Sequence, residues 1–187
     1  AERFDRFEEQ LQIITGLWKT PLGETFSFKG EYYELVDSPA LPKPVQRPHP
    51  PILIGGHGTN RTPRLAARYA DEFNVAFRDG EATGGQFSRV RDACERDGRS
   101  ASSIVMSAAQ VLCVGENEVE IAQRASRIGR DVSELRQNGL AGTVAEVVDK
   151  IGTFGEIGAS RLYLQVLDLT DLDHLRLVAE AVMPAVR

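Results

Sequence analysis

The sequence predicts an α/β fold in which parallel strands alternate with helices, and three observations carry that expectation. Four short apolar runs, at 52–54, 72–77, 104–114 and 161–167, are separated by stretches of helical periodicity. Strands joined through helices in this way pair in parallel with right-handed crossovers. The run Ile52-Leu53-Ile54 is apolar without alternation, as expected of a strand covered on both faces. It passes directly into Gly55-Gly56-His57-Gly58-Thr59-Asn60-Arg61-Thr62-Pro63, a glycine-rich turn that opens a helix.

The elements follow in order. Residues 2–19 place Phe4, Phe7, Leu11, Ile14 and Trp18 at steps of three and four, one apolar stripe of a helix that Pro21 and Gly23 stop. Segments 25–28 and 32–35 flank Lys29-Gly30 and predict a hairpin with an aromatic face, within a rim insertion at 20–38. It either packs over the rim or lends Tyr32 or Tyr33 to an entrance. Six of the nine prolines fall within 39–51, which makes that segment a stiff connector without helix. After the central turn, residues 61–71 predict a helix with Leu65, Ala66, Tyr69 and Ala70 inward and Arg61, Arg64 and Arg68 along one side.

The second strand, 72–77, ends at Phe77 and is followed by a loop beginning with Arg78. A helix from about Gly84 to Asp97 carries Phe87, Val90 and Cys94 at helical spacing and stops at Gly98. The third strand brings Ser107 or Gln110 to the inner face. Residues 116–137 are helical and charged, as one helix or two joined near Gly129. Thr143 with Glu146 forms a capping-box pattern for a helix that ends near Gly158. The fourth strand leads into a last helix expected to turn Leu172, Leu175, Ala179 and Val182 inward.

The glycine turn has the design of an anion site. Gly55, Gly56 and Gly58 allow positive φ and let backbone N–H groups approach a ligand closely. Thr59, Asn60 or Thr62 can cap the following helix, Pro63 fits its first turn, and the positive end of the helix dipole points back at the turn. His57 either reaches a bound phosphate with its imidazole or is an exposed loop side chain beside the binding backbone. Among the three arginines, Arg61 alone lies near enough to the helix start to reach a phosphate.

The run PPILIGGHGTNRTPRLAARYADEFNVAF resembles the luciferase-like flavin- or deazaflavin-dependent oxidoreductases, particularly the subgroup that uses coenzyme F420. So do GLWKTPLGETFSFKGEYYELVDSPALPKPVQRPHP and SRLYLQVLDLTDLDHLRLVAEAVMP. The resemblance implies a (β/α)8 TIM barrel, which usually needs about 250 residues. With 187 residues, the chain is expected to be a single domain, 1–187, holding the last four strand-helix units of that barrel, either a fragment or a shortened relative.

The resemblance further implies hydride transfer between F420 and an unidentified small organic substrate, with an FMN-dependent monooxygenase as the alternative. A third reading is a non-catalytic half-barrel that only self-associates. Gly55, Gly56, Gly58 and Thr59 match the family's cofactor-phosphate turn, with His57 and Arg61 as added candidates. In a barrel, Phe77 and Arg78 lie at the ligand-bearing ends of the strands and are candidates for substrate binding. The bland alternative for Arg78 is pairing with Asp79 or Glu81. The family's catalytic residues lie in its first four units, so none is assigned here.

Composition narrows the class. A net charge of −5 disfavours nucleic-acid binding. No apolar run is long enough to span a bilayer and no signal peptide is visible, so a cytoplasmic protein is expected. Cys94 and Cys113 are far apart and read as reduced structural thiols, and the three histidines have no metal-ligand company. A homodimer or other homo-oligomer is expected, because a four-strand parallel sheet leaves two open edges and an apolar inner face.

Overall fold

The computed structural model describes residues 2–186 and has the expected α/β architecture. Helix α1 (Glu2–Lys19) precedes the antiparallel hairpin of β1 (Phe26–Lys29) and β2 (Glu34–Ser38). The sheet and its helices follow as β3 (Leu53–Gly55), α2 (Arg61–Tyr69), β4 (Glu72–Ala76), α3 (Gly80–Arg96) and β5 (Val105–Gly115). Then come α4 (Glu118–Arg127), α5 (Val132–Asn138), β6 (Leu140–Thr143), α6 (Val144–Glu156), β7 (Arg161–Gln165) and α7 (Leu172–Leu177). A π-helical turn, Val178–Val182, joins α7 to a last short helix, α8 (Met183–Ala185).

All strand pairs of the main sheet are parallel. Strand β5 is its spine. Its first part pairs with β4 and, through Ser107–Val111, with β7, while Leu112–Gly115 pair with β6. Strand β6 is a fifth strand that sequence patterning did not separate from the start of α6. Leu140-Ala141-Gly142-Thr143 is short, largely small in side chain, and ends on the residue that caps the helix.

Alternation along the strands divides the sheet into two faces. Ile54, Phe73, Val75 and Met106 join α1, α2 and α3 in one buried cluster. A second cluster, including Ala108, Leu112, Val147 and Phe154, packs beneath α6 and the C-terminal helix. The opposite face holds a third apolar cluster, including Val111, Cys113, Ile121 and Leu135, under α4 and α5, and beside it a polar network. The Asn74 amide donates to Ser107 Oγ at 2.9 Å, and the buried Glu72 carboxylate accepts from Tyr163 Oη at 2.8 Å and pairs with Arg161. Ser107 therefore sits on the inner face as expected, whereas the Gln110 side chain donates to the carbonyl of Arg78.

The N-terminal section is tied down by polar contacts of α1. The Glu9 carboxylate accepts from the backbone N–H groups of Glu31, Tyr32 and Tyr33 at 2.7, 3.1 and 3.0 Å, fixing the hairpin turn against the helix. Gly16 leaves room for the ring of Phe26, which would overlap any Cβ at that position. The connector at 39–51 has neither helix nor strand, and is held by Lys43 donating to the Leu17 carbonyl and by His49 stacked on Trp18. Among the described residues no helix is long and apolar enough to cross a membrane.

The phase of the C-terminal helix differs from expectation. Leu172, Leu175 and Ala179 face solvent, and the inward positions are His174, Val178 and Val182. The reason is polar. Asp171 caps α7 by accepting from the His174 N–H, and Arg124 donates to Asp171 at 3.0 Å. His174 Nε2 accepts from the Val114 N–H at 3.1 Å. These contacts fix the rotation of α7 before its leucines can choose a face.

His174 is thereby held neutral, its pKa lowered first by burial and then by Arg124. The unfolded chain takes up a proton near the ordinary value of 6.5 while the folded chain does not, so folding stability is present above that pH and declines as pH falls below it. The denaturant midpoint is expected to drop between pH 7 and pH 5.5, and His174→Gln should flatten that limb. An equal drop in the variant would assign the effect to other groups.

Candidate functional site

The glycine turn is held between strands β3 and β4 and helix α3. Asp71 secures the entry to β3, its carboxylate accepting from the Ile52 N–H at 2.7 Å while its own N–H donates to the Ile52 carbonyl at 2.8 Å. At the exit, the Gly56 N–H donates to the Asn74 carbonyl at 3.3 Å and His57 Nε2–H donates to the Ala76 carbonyl at 2.9 Å. The turn is thus fastened to the end of β4. His57 is exposed, and this bond occupies one of its ring nitrogens.

Two glycines are required for different reasons. Gly56 has φ of 147°, a backbone state that L side chains rarely adopt. Gly58 approaches the buried Thr62 so closely that a Cβ would lie 2.6 Å from Thr62 Oγ1. Gly55 shows no positive φ and lies instead where a Cβ would meet the Asn74 carbonyl at 3.3 Å.

The direction of the turn is set by Gln86, a buried residue of α3. Its amide donates to the Gly58 carbonyl at 2.7 Å and the Gly56 carbonyl at 3.4 Å, while its oxygen accepts from Arg89 at 2.8 Å. With those carbonyls drawn toward α3, the N–H groups of His57, Gly58 and Thr59 have no acceptor among the described residues. Gln86 escaped sequence reasoning. Its signal was a polar residue on the inward face of α3, four residues before Val90 and next to Phe87.

The start of α2 adds a positive dipole end that its own sequence leaves uncompensated. Asn60 makes no side-chain capping bond and the first turn holds no acid. By contrast α3, α4, α5, α6 and α7 are capped by Asp79, Asn117, Asp131, Thr143 and Asp171. The expected Thr143–Glu146 capping box is among them.

Arg61 lies at this helix start, but its guanidinium pairs with Asp5 of α1 and sits 5.3 Å from the centre of the Phe4 ring. The pairing holds the Asp5 carboxyl below its usual range. Arg64 and Arg68 pair with Glu8 at 2.6 and 3.7 Å, so the arginine row binds α1 to α2. Between these helices and the turn lies a cleft of about 630 Å³. Gly55, Gly56, His57 and Gly58 form one wall, and Arg3, Phe4 and Phe7 lie on the α1 side. Tyr33 also lines it, its hydroxyl accepting from Gln10 at 2.8 Å, whereas Tyr32 lies against the Arg6 guanidinium.

Phe77 and Arg78 follow β4 directly beyond the carbonyl that binds His57. Phe77 adopts φ of 57° and is half exposed, and its N–H donates to the Ala109 carbonyl at 2.8 Å. Arg78 is exposed and forms no ion pair among the described residues. The neighbouring Asp79 is occupied in capping α3 through the Ala82 N–H.

Other chemistry lies elsewhere or is absent among the described residues. No group of three or more His, Cys, Asp or Glu side chains could hold a metal there. Cys94 and Cys113 are buried, and burial pushes both thiols up. A polar cleft of about 470 Å³ between α4 and α7 contains Arg124, Glu120 and Asp171, whose charges are paired with one another.

The family known as luciferase-like monooxygenase matches residues 1–139 of this chain. The FMNH(2)-dependent dimethylsulfone monooxygenase of Pseudomonas putida is 37% identical over 92 residues, covering 49% of this chain and 23% of the relative. The F420-dependent glucose-6-phosphate dehydrogenase of Nakamurella multipartita is 27% identical over an alignment spanning 100% of this chain and 61% of its own length. Among solved structures, an F420-dependent secondary alcohol dehydrogenase in complex with an F420-acetone adduct superposes with a TM-score of 0.82 at 17% identity, over 99% of this chain and 62% of that one. The EDTA monooxygenase of Chelativorans sp. BNC1 gives 0.79 at 19% identity, over 99% and 61%. These relatives are thus considerably longer than the segment they share with this chain.

Removing the Gln86 donor should loosen the turn. Gln86→Met leaves two carbonyls without their donor, and a loss of about 1–3 kcal/mol in unfolding free energy is expected from urea denaturation. Unchanged stability, with unchanged amide exchange at Gly58, would show that the turn is held by other contacts.

Proposed function

Because this chain belongs to the luciferase-like monooxygenase family, we propose that it forms the phosphate end of a cofactor site in an F420-dependent oxidoreductase acting on a small organic substrate. The observation that carries the proposal is the turn itself. Gly56 and Gly58 let the turn close against Thr62 where Cβ atoms would crowd it, Gln86 withdraws the carbonyls, and the N–H groups of His57, Gly58 and Thr59 are left beside an uncapped helix start. Such a surface suits a phosphate group.

The residues present fit either F420 or FMN at that end. Gly55, Gly56, Gly58 and Thr59 would hold the phosphate by backbone, with His57 and Arg61 bordering it. Arg61 contributes positive potential while remaining tied to Asp5. Phe77 and Arg78 stand on the adjoining rim as substrate-side residues. When bound, the cofactor supplies the two-electron chemistry, and the chain supplies position and electrostatics.

The preference for F420 rests on extent of similarity. The F420-dependent dehydrogenase from Nakamurella aligns across the whole chain, whereas the FMNH(2)-dependent relative aligns over 49% of it. The 37% identity of that shorter match keeps FMN as the second reading. Self-association belongs to the proposal as well, since outer strands β3 and β7 each pair with one neighbour only among the described residues.

Titration of the purified chain with F420 and with FMN, followed by fluorescence alongside solution mass, tests these readings. F420 is expected to bind at least about tenfold more tightly, a difference of about 1.4 kcal/mol. Tighter FMN binding would establish the second reading. Binding of neither would leave a non-catalytic, self-associating role or a site completed by further chain.

A further inference from the structure

The step from β4 into α3 is built with more constraint than a connection needs. Phe77 occupies the left-handed region at φ of 57°, an uncommon state for a bulky side chain. Three contacts hold it there. The Phe77 N–H donates to Ala109, while the Arg78 carbonyl accepts from Gln110 Nε2 at 2.5 Å and from Thr83 Oγ1 at 3.4 Å. Gln110 and Thr83 are both fully buried. Gln110 Oε1 has no hydrogen-bond partner among the described residues, so an amide is buried half-satisfied in order to fix that carbonyl.

The constraint serves no packing purpose for the side chains it directs. Phe77 is 48% exposed and Arg78 is exposed, so neither joins the core. Asp79, the nearest acid in sequence, is turned to the Ala82 N–H. Among the described residues the guanidinium has no carboxylate partner. The glycine turn is adjacent, because His57 is bonded to the carbonyl immediately before Phe77. Backbone strain maintained by buried donors at a ligand-bearing edge is a feature of binding sites.

We propose that Phe77 and Arg78 form a second anion-recognition point, for a carboxylate, phosphate or sulfonate attached to a planar or apolar body. The ring of Phe77 receives the apolar part and the Arg78 guanidinium the charge, which a forked donor binds in bidentate fashion. The anion belongs to the substrate or to the acidic tail that F420 carries beyond its phosphate. This deepens the proposed function and depends on it only for the identity of the neighbouring ligand.

The test is calorimetric titration of the full chain with benzoate and with benzyl alcohol, each without cofactor and again with F420 or FMN added. Benzoate should bind the wild type with a Kd about tenfold lower than it shows for Arg78→Gln, and benzyl alcohol should not distinguish the two. F420 affinity that falls with benzoate affinity in Arg78→Gln, while FMN affinity holds, supports the site with the cofactor tail as its anion. Unchanged F420 and FMN affinities support it with the substrate as source. Benzoate binding that is absent, or equal in wild type and Arg78→Gln, overturns the proposal. Because the benzoate comparison is made without cofactor, its outcome stands whether or not the chain binds F420 or FMN.

Discussion

One buried amide donating to two carbonyls gives the glycine turn its chemical direction. Without the bonds from Gln86 to Gly56 and Gly58, the turn could rotate its peptide units and present carbonyl oxygens to the cleft, repelling an anion. The bond depends in turn on where α3 lies. Asp79 starts that helix at the end of β4, and Phe87, Val90 and Cys94 seat it in the core. Packing of the sheet and polarity of the site are therefore linked through a single side chain, itself steadied by Arg89.

The electrostatics of the surrounding helices follow a consistent division. Most helix starts in the fold are closed by a side-chain cap, which satisfies the exposed N–H groups and neutralises the dipole. The start of α2 is not closed in this way. The arginines of α2 are paired with acids of α1, so they hold the two helices together more than they crowd the turn. Ion pairs this close to solvent add little net stability, and their value lies in fixing α1 beside the cleft.

Much of this organisation could be read from sequence because it depends on local chemistry. Strands β3, β4, β5 and β7 are marked by the apolar runs at 52–54, 72–77, 104–114 and 161–167, the hairpin by Lys29-Gly30 between aromatic segments, and the start of α6 by Thr143 with Glu146. What could not be read depends on distant partners. The phase of α7 is decided by Val114 and Arg124, far away in sequence, against the preference of its leucines. Strand β6 exists because the long β5 offers Leu112–Gly115 as a template. At the site, the glycines announced themselves through their type, whereas Gln86 is an ordinary helix residue until α3 folds against the turn.

Phosphate binding by the backbone N–H groups of this turn would show in the movement of backbone amide resonances during titration of the full chain with inorganic phosphate. Saturable shifts centred on His57, Gly58 and Thr59, and absent from the paired charges of α4 and α7, are the predicted result. Shifts centred on Arg124 and Arg127, or none at the turn at concentrations that saturate other phosphate sites, would contradict it.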